Sequence, residues 1–410
     1  MQNPTPEIPE SRIAQFKKIP FKEVPNPAFI IHTDLLKANG QILKGIREKT
    51  GAKILLAQKG FSCFSTYPIL REFLDGTSSS GVNEALLAKE HFGKEIHVYS
   101  PAFTSKDVVQ LASFCDTIIF NSMQQLAMGI TATEGQRRPE FGLRINPQFS
   151  TGNNDLYNPC TMDSRLGTIR ATLEKNLKDC SNTSLASISG LHFHSLCEED
   201  ADALEQTALA FETKFKDIIT HCKWLNFGGG HHITRPNYDI KSLCEIIEYF
   251  QKKYKLTVYL EPGEAVALHT GILNAKVLDI LETENTHNAI LNISATCHMP
   301  DILEMPYRPN ILNAFPANEK AHTYRLGGLS CLAGDTIGDY SFEKPLKIND
   351  TLQFLDMSHY TMVKTSTFNG VPLPAICLFD QSNGLKLVRS FTYCLLYTSD
   401  AADDSTRVDL

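Results

Sequence analysis

The chain of 410 residues lacks any apolar run approaching the roughly 18 residues a membrane-crossing helix needs, so no span and no membrane partner are expected. Its opening stretch, MQNPTPEIPESRIAQF, has neither a basic segment nor an apolar core, so a signal peptide is not expected. Basic charge is not in excess: 39 Lys and Arg face 46 Asp and Glu, a net charge of −7, which excludes a nucleic-acid footprint. The mild acidity is weakly consistent with a cationic ligand. No internal repeat and no low-complexity segment interrupts the chain. Its 11 cysteines follow no fixed spacing. An odd count without a secretory signal reads as reduced thiols in a cytoplasmic protein.

What is present suits a large domain plus a smaller one, with 42% hydrophobic residues to build the cores. About 25 polar, proline-spaced residues lead in. Short apolar runs then alternate with amphipathic stretches. Lys53–Ala57, Ile96–Tyr99, Thr117–Phe120, Phe141–Ile145, Ser189–Phe193, Lys223–Asn226 and Leu256–Leu260 read as strands buried on both faces. Helical patterns such as Asn83–His91 and Asp200–Lys216 lie between them. This alternation fits a parallel (β/α)8 TIM-type barrel, with an open doubly wound sheet as the rival. After about residue 270 the runs Gly271–Leu281, Asn288–Ile293, Thr351–Leu355 and Pro374–Phe379 suggest a C-terminal, mostly antiparallel β domain. The expected division is a lead-in over 1–28 associated with the β domain, a barrel over 29–268, the β domain over 269–392, and a disordered, non-native tail over 393–410.

Catalytic groups in such a barrel sit just past the C-terminal ends of strands, and several unusual residues fall there. Lys59 follows the first run; it is either a solvated loop residue or a buried amine of lowered pKa that forms Schiff bases. His192 and His194 close another run on one face, as polar rim, metal pair or a ring stacked on a cofactor. Gly228, Gly229 and Gly230 either make a plain turn or gather backbone N–H groups around an anion. His231 and His232, directly after them, raise a metal site again. Glu261, in Glu261-Pro-Gly-Glu264, can keep a heterocyclic nitrogen protonated or cap the next helix.

The order of these features — lysine, His-x-His, glycine triplet, Glu-Pro-Gly — resembles the fold-type-III pyridoxal-phosphate decarboxylases, which include the ornithine and diaminopimelate enzymes. Gly327–Asp335 (GGLSCLAGD) and Ser358–Gly370 (SHYTMVKTSTFNG) extend the likeness over about residues 25–392. Within that group the chain is most similar to the carboxynorspermidine/carboxyspermidine decarboxylases. The stretches that carry this are Lys53–Gly60, Asp155–Cys160, Ser164–Gly167, Gly190–His194, Leu225–Arg235, Glu261–Ala265, and Ser294–Asp301 running on to Met305–Pro309.

The resemblance implies pyridoxal 5'-phosphate as cofactor and no metal. It casts Lys59 as the residue carrying the cofactor and His194 as the ring stacked on it. Gly228–Gly230 and Tyr360 would receive the phosphate, and Glu261 would pair with the ring nitrogen. Cys331 would give a proton to the carbanion left by decarboxylation, reaching the site from the partner subunit of a homodimer with shared active sites. The ornithine and diaminopimelate enzymes carry arginine where this chain has Glu264, and the latter carry glutamate where it has Leu332. Glu264, Asp301, Glu304 and Asp335 suit the cationic tail of a small carboxylated polyamine. Arg308 suits a carboxylate or, equally, a salt bridge in the β domain. The competing readings are diaminopimelate decarboxylase activity, an inactive regulatory homologue, and a metal-dependent barrel hydrolase using the four histidines.

Overall fold

The computed structural model describes residues 7–151, 158–179 and 184–393. Asp155–Tyr157 of one motif, residues 1–6 of the lead-in and the tail beyond 393 lie outside them. Two compact units form, residues 37–266 and residues 1–36 with 267–410.

The first unit is a closed barrel of eight parallel strands: Lys53–Ala57, Gly76–Ser79, Glu95–Tyr99, Thr117–Phe120, Glu140–Arg144, Gly190–His192, Trp224–Asn226 and Thr257–Leu260. Closure comes from the first strand pairing with the last, Lys53 with Tyr259 and Ile54 with Leu260. Seven strands are the apolar runs of the sequence, because a strand covered on both faces must be apolar nearly throughout. The remaining strand, Gly76–Ser79, carries no large apolar residue. It is compressed against its neighbour: a Cβ on Gly76 would lie 2.0 Å from the Glu95 carbonyl oxygen.

Helices return the chain between strands, and several start at side-chain caps. Thr104 and Asp107 form a reciprocal capping box for Ser105–Ala112, while Ser122 and Asp239 accept from the first turns of Met123–Ala132 and Ile240–Tyr254. The helix expected from Asp200 runs Ala201–Ile219, but the Asp200 carboxylate does not cap it; it pairs with Arg235 at 2.6 Å. The Asn83–His91 pattern resolves into a helix, Val82–Leu87, and a π-turn, Ala88–Phe92.

The barrel interior is filled by Leu55, Ile119, Trp224 and Tyr259. Glu95 accepts from the Lys53 amine at 2.6 Å and the Tyr259 hydroxyl at 2.7 Å, and lies 2.9 Å from the His97 ring nitrogen. Burial pushes the Glu95 carboxyl up; these three partners override it and hold it down at about 2. The Trp224 indole donates to Glu140 at 2.8 Å, and its ring lies against Gly190 and Gly142, where Cβ atoms would sit 2.1 and 2.4 Å away. Gly190→Ala is therefore expected to cost about 1–3 kcal/mol or more through overpacking, read as a lowered denaturant midpoint. An unchanged midpoint would show that the indole moves aside freely.

The second unit holds a nine-stranded, mostly antiparallel sheet. Its axis is the long strand Gly271–Glu282. Ile272–Lys276 pair with Thr351–Leu355, and beyond a bulge at Val277/Asp279 the strand pairs with His287–Leu291. His322–Gly327, Thr336–Phe342 and Phe315–Pro316 continue from there. On the other side lie Ala28–His32, Ala375–Asp380 and Gly384–Arg389. Phe29, Leu273, Leu291, Leu326 and Phe354 centre one core; Phe16 of the lead-in helix Glu10–Phe16 packs with Ile30 and Cys377 in another. The run Ala28–His32 thus joins this sheet, where the sequence division assigned residues from 29 onward to the barrel. A wholly buried apolar run fits either sheet, and only pairing decides.

Candidate active site

The C-terminal ends of the barrel strands gather Lys59, Tyr99, Arg144, His192, His194, Gly229 and Glu261 around one recess, with Ser78, Ser79 and Ser80 on its wall. Lys59 stands two residues beyond its strand on a turn closed by the Gly60 N–H on the Ala57 carbonyl. Gly60 itself packs on Gly263 and Glu264, whose backbone atoms would lie 2.9–3.0 Å from any Cβ there. The turn is thereby seated on the Glu-Pro-Gly segment.

The amine of Lys59 lies 3.2 Å from His194 Nε2, and the Gly229 N–H donates to His194 Nδ1 at 3.1 Å. That second bond settles the tautomer by chemistry: Nδ1 accepts, so the ring proton sits on Nε2 and points at the amine lone pair. Only an unprotonated lysine can accept it. The electrostatics agree. Burial and the charge of Arg144 lower the Lys59 pKa, against the pull of Glu261. Burial first, then the charge of Arg144, holds His194 well below its ordinary value. The lysine side chain is nonetheless reachable by solvent. A lowered pKa in an open recess favours the neutral amine, the state a nucleophilic lysine requires.

Glu261 is buried at the end of the last strand. Its Oε1 accepts from the Asn226 amide at 2.7 Å and its Oε2 lies 3.4 Å from His192 Nε2. Burial alone would push this carboxyl up; His192 and Asn226 override it and hold it below the usual range. Burial lowers the His192 imidazole pKa against the pull of Glu261. Arg144 lies 4.6 Å over the Tyr99 ring and donates to the His194 carbonyl, and the Tyr99 hydroxyl is fixed on Asn121.

The glycine triplet is shaped by packing. Gly228 and Gly230 have positive φ, and Cβ atoms on Gly229 and Gly230 would lie 2.2 Å from the Glu261 carbonyl oxygen and 1.9 Å from that of Leu196. Two of its three N–H groups are already engaged, Gly228 on Asn226 Oδ1 and Gly229 on His194. The Gly230 N–H makes no hydrogen bond among the described residues, which narrows the expected anion contact to that end.

His231 Nδ1 lies 2.7 Å from the Tyr238 hydroxyl, and His232 Nε2 lies 3.5 Å from Glu264. The four histidines thus serve four different partners, and among the described residues no group of three His, Cys, Asp or Glu is placed to hold a metal ion. Burial pushes His232 down, but Glu264 overrides it and raises its pKa. The stability from this pair is fully present below the unfolded histidine pKa of about 6.5 and is lost as pH rises through the raised folded value. In a histidine NMR titration His232 should titrate above the ordinary value, and Glu264→Gln should lower it, since burial is then opposed only by the weaker pull of Glu198. An identical midpoint in both proteins would show that Glu264 does not hold the charge.

In the sheet unit, Cys331 is exposed on the loop after His322–Gly327. Three residues expected to bind substrate have other work there. Asp335 is buried, and its oxygens accept from the backbone N–H groups of Ala295, Thr296 and Ser330, a set of contacts that holds loops together. Glu304 pairs with Lys364, and Arg308 lies 4.1 Å over the Tyr340 ring. Asp301 differs. Its Oδ2 accepts from Tyr307 at 2.6 Å and Thr361 at 3.1 Å, while its buried Oδ1 has no hydrogen-bond partner among the described residues. Tyr360 opens the helical turn Tyr360–Val363. Arg144, Tyr99 and Asn226 were not foreseen; all three close barrel strands, the one signal that could have marked them.

These features define a lysine-based carbonyl site on a barrel. Comparison with known families agrees: residues 79–268 match the pyridoxal binding domain of pyridoxal-dependent decarboxylases and residues 237–358 their C-terminal sheet domain. The chain belongs to the pyridoxal-dependent decarboxylases.

Within that family it is 45% identical, over 91% of its length and 98% of the relative's, to a carboxynorspermidine/carboxyspermidine decarboxylase of Campylobacter jejuni. It is 42% identical, over 90% of its length and 94% of the relative's, to a carboxyaminopropylagmatine decarboxylase of a Synechocystis species. Among solved structures it resembles the Campylobacter jejuni carboxynorspermidine decarboxylase complexed with norspermidine, with a TM-score of 0.83 and 43% identity over 92% of this chain and 100% of that one. Diaminopimelate decarboxylase of Helicobacter pylori shares the fold, with a TM-score of 0.80 at 17% identity over 93% and 98% of the two chains. The residues of the recess fit pyridoxal 5'-phosphate, the family's cofactor: a neutral amine for its aldehyde, an ionised buried acid for its ring nitrogen, and an unengaged backbone N–H for its phosphate.

Proposed function

We propose that this enzyme decarboxylates carboxynorspermidine or carboxyspermidine, a step of polyamine biosynthesis. The observation that carries the reading is the near-full-length 45% identity to a relative of that activity. Two acids support it. Glu264 places a carboxylate at the strand-end face of the barrel, and Asp301, in the sheet unit, offers a buried oxygen without a partner among the described residues. An ammonium group loses its hydration when buried, and a carboxylate compensates for that loss.

In this reading Lys59 carries the cofactor and Glu261 keeps its ring nitrogen protonated. His194 would stack on the ring, and the Gly230 N–H and the Tyr360 hydroxyl would hold the phosphate. Bound pyridoxal phosphate supplies the sink for the electron pair released as carbon dioxide leaves. Arg144 holds the His194 backbone and, after burial, adds to the lowering of the Lys59 pKa. Cys331 delivers the proton, coming from the partner subunit of a homodimer. That assignment is supported by its exposure beside exposed Leu329, Leu332 and Phe368, an apolar setting suited to a second copy of the chain. The nine described cysteines are free thiols, in keeping with a cytoplasmic enzyme.

Steady-state kinetics on carboxynorspermidine, carboxyspermidine and carboxyaminopropylagmatine test the substrate. Either of the first two should show the highest kcat/KM. The pair should differ by no more than about 10–200-fold, the discrimination one methylene allows. A clear preference for carboxyaminopropylagmatine, or turnover of diaminopimelate alone, would overturn the reading.

A further inference from the structure

The loop that presents Cys331 is held from two sides by side chains the reaction itself does not use. Asp335, four residues on, turns its carboxylate back onto the Ser330 N–H at 2.9 Å and onto the Ala295 N–H at 2.7 Å. The loop is thereby tied to the helical turn Ala295–His298. A Cβ on Gly328 would strike that carboxylate at 2.4 Å, so the fit is close. The N–H of Cys331 donates to Asn369 Oδ1 at 2.9 Å. Asn369 sits at φ +56°, a conformation asparagine tolerates better than most residues.

The Asn369 segment is anchored in turn to the same helical turn. The Ser366 N–H donates to the Cys297 carbonyl, and the Cys297 thiol to the Phe368 carbonyl. His298 closes the triangle: its Nδ1 accepts from the Ser294 N–H, so its proton lies on Nε2 and is donated to the Pro372 carbonyl at 3.0 Å. Burial lowers its pKa to about 4, which keeps that neutral tautomer. Three segments distant in sequence thus meet in one frame, and the exposed thiol stands on it.

We propose that Asn369 and Asp335 are positioning residues that set the Cys331 loop within a single chain, so that the thiol is already placed when two subunits meet. The inference rests on the role given to Cys331 above. It explains why an exposed loop spends a buried carboxylate and a left-handed asparagine on its backbone: a proton donor misplaced by about 1 Å can lose up to roughly a hundredfold in rate.

The test uses the holoenzyme and two readouts. Asn369→Ala should lower kcat by about 10- to 100-fold with KM little changed. It should raise hydrogen exchange at the Cys331 amide while the barrel strands keep their protection. Asn369→Asp, which keeps an accepting oxygen and tolerates the same φ, should restore both. In a Cys331→Ala background, Asn369→Ala should cause no further fall in kcat, because it acts through the thiol. A multiplicative further loss, or unchanged exchange at Cys331 in Asn369→Ala, would overturn the proposal. If Cys331→Ala itself leaves kcat intact, the proton-donor role fails, and the exchange result alone decides the positioning claim.

Discussion

Lys59→Ala is expected to lose the covalently held cofactor, and with it the near-visible absorbance, and to lower kcat by on the order of 10^4-fold or more, as removal of an essential nucleophile does. The reasoning starts from the proton on His194. With Nδ1 occupied by the Gly229 N–H, Nε2 donates, and Lys59 at 3.2 Å must accept through a free lone pair. A neutral amine is what a carbonyl carbon requires. Lys59→Arg sharpens the test, since a guanidinium keeps the length and charge but does not deprotonate in proteins. It should be as inactive as the alanine variant. Borohydride reduction of the wild type followed by peptide mapping should label Lys59. Label on another lysine would remove Lys59 from the mechanism.

The second large effect is a recovery. Lys59→Ala chains, inactive alone, and Cys331→Ala chains, strongly impaired alone, should together regain roughly a quarter of wild-type activity. In an equal mixture half of the dimers are mixed, and one of the two sites in each has both an intact barrel lysine and an intact thiol. Neither lesion touches a core: Lys59 reaches into the recess, and Cys331 is exposed. Both chains should therefore fold and pair. Mixed dimers that form, as shown by tagged co-purification, yet remain inactive would place each Cys331 with the lysine of its own chain.

Much of this enzyme could be read from the chain alone, for one reason: a strand buried on both faces must be apolar. Lys53–Ala57 and Thr117–Phe120 carry their position in their composition. The reactive residues follow directly, since whatever stands just after such a run stands at the mouth of the barrel. Gly76–Ser79 escaped because its neighbours supply its burial and it has no apolar side chain to show for it. Ala28–His32 could have belonged to either sheet.

The sequence by itself determined which reactive groups the chain owns and at which strand ends they stand. The tertiary structure decided what each one touches, and so what each one does. Glu261 is an ionised acid because Asn226 and His192 come to it from two other strands. Gly229 gives its N–H to a histidine 35 residues away and thereby frees the lysine lone pair. Asp335, an acid expected near a cationic tail, takes up three backbone N–H groups and ties loops together. A carboxylate has the same formula in each place; its protonation, its partners and the work left for it depend on which dipoles the fold brings within 3 Å, and that pairing is written in no single stretch of the chain.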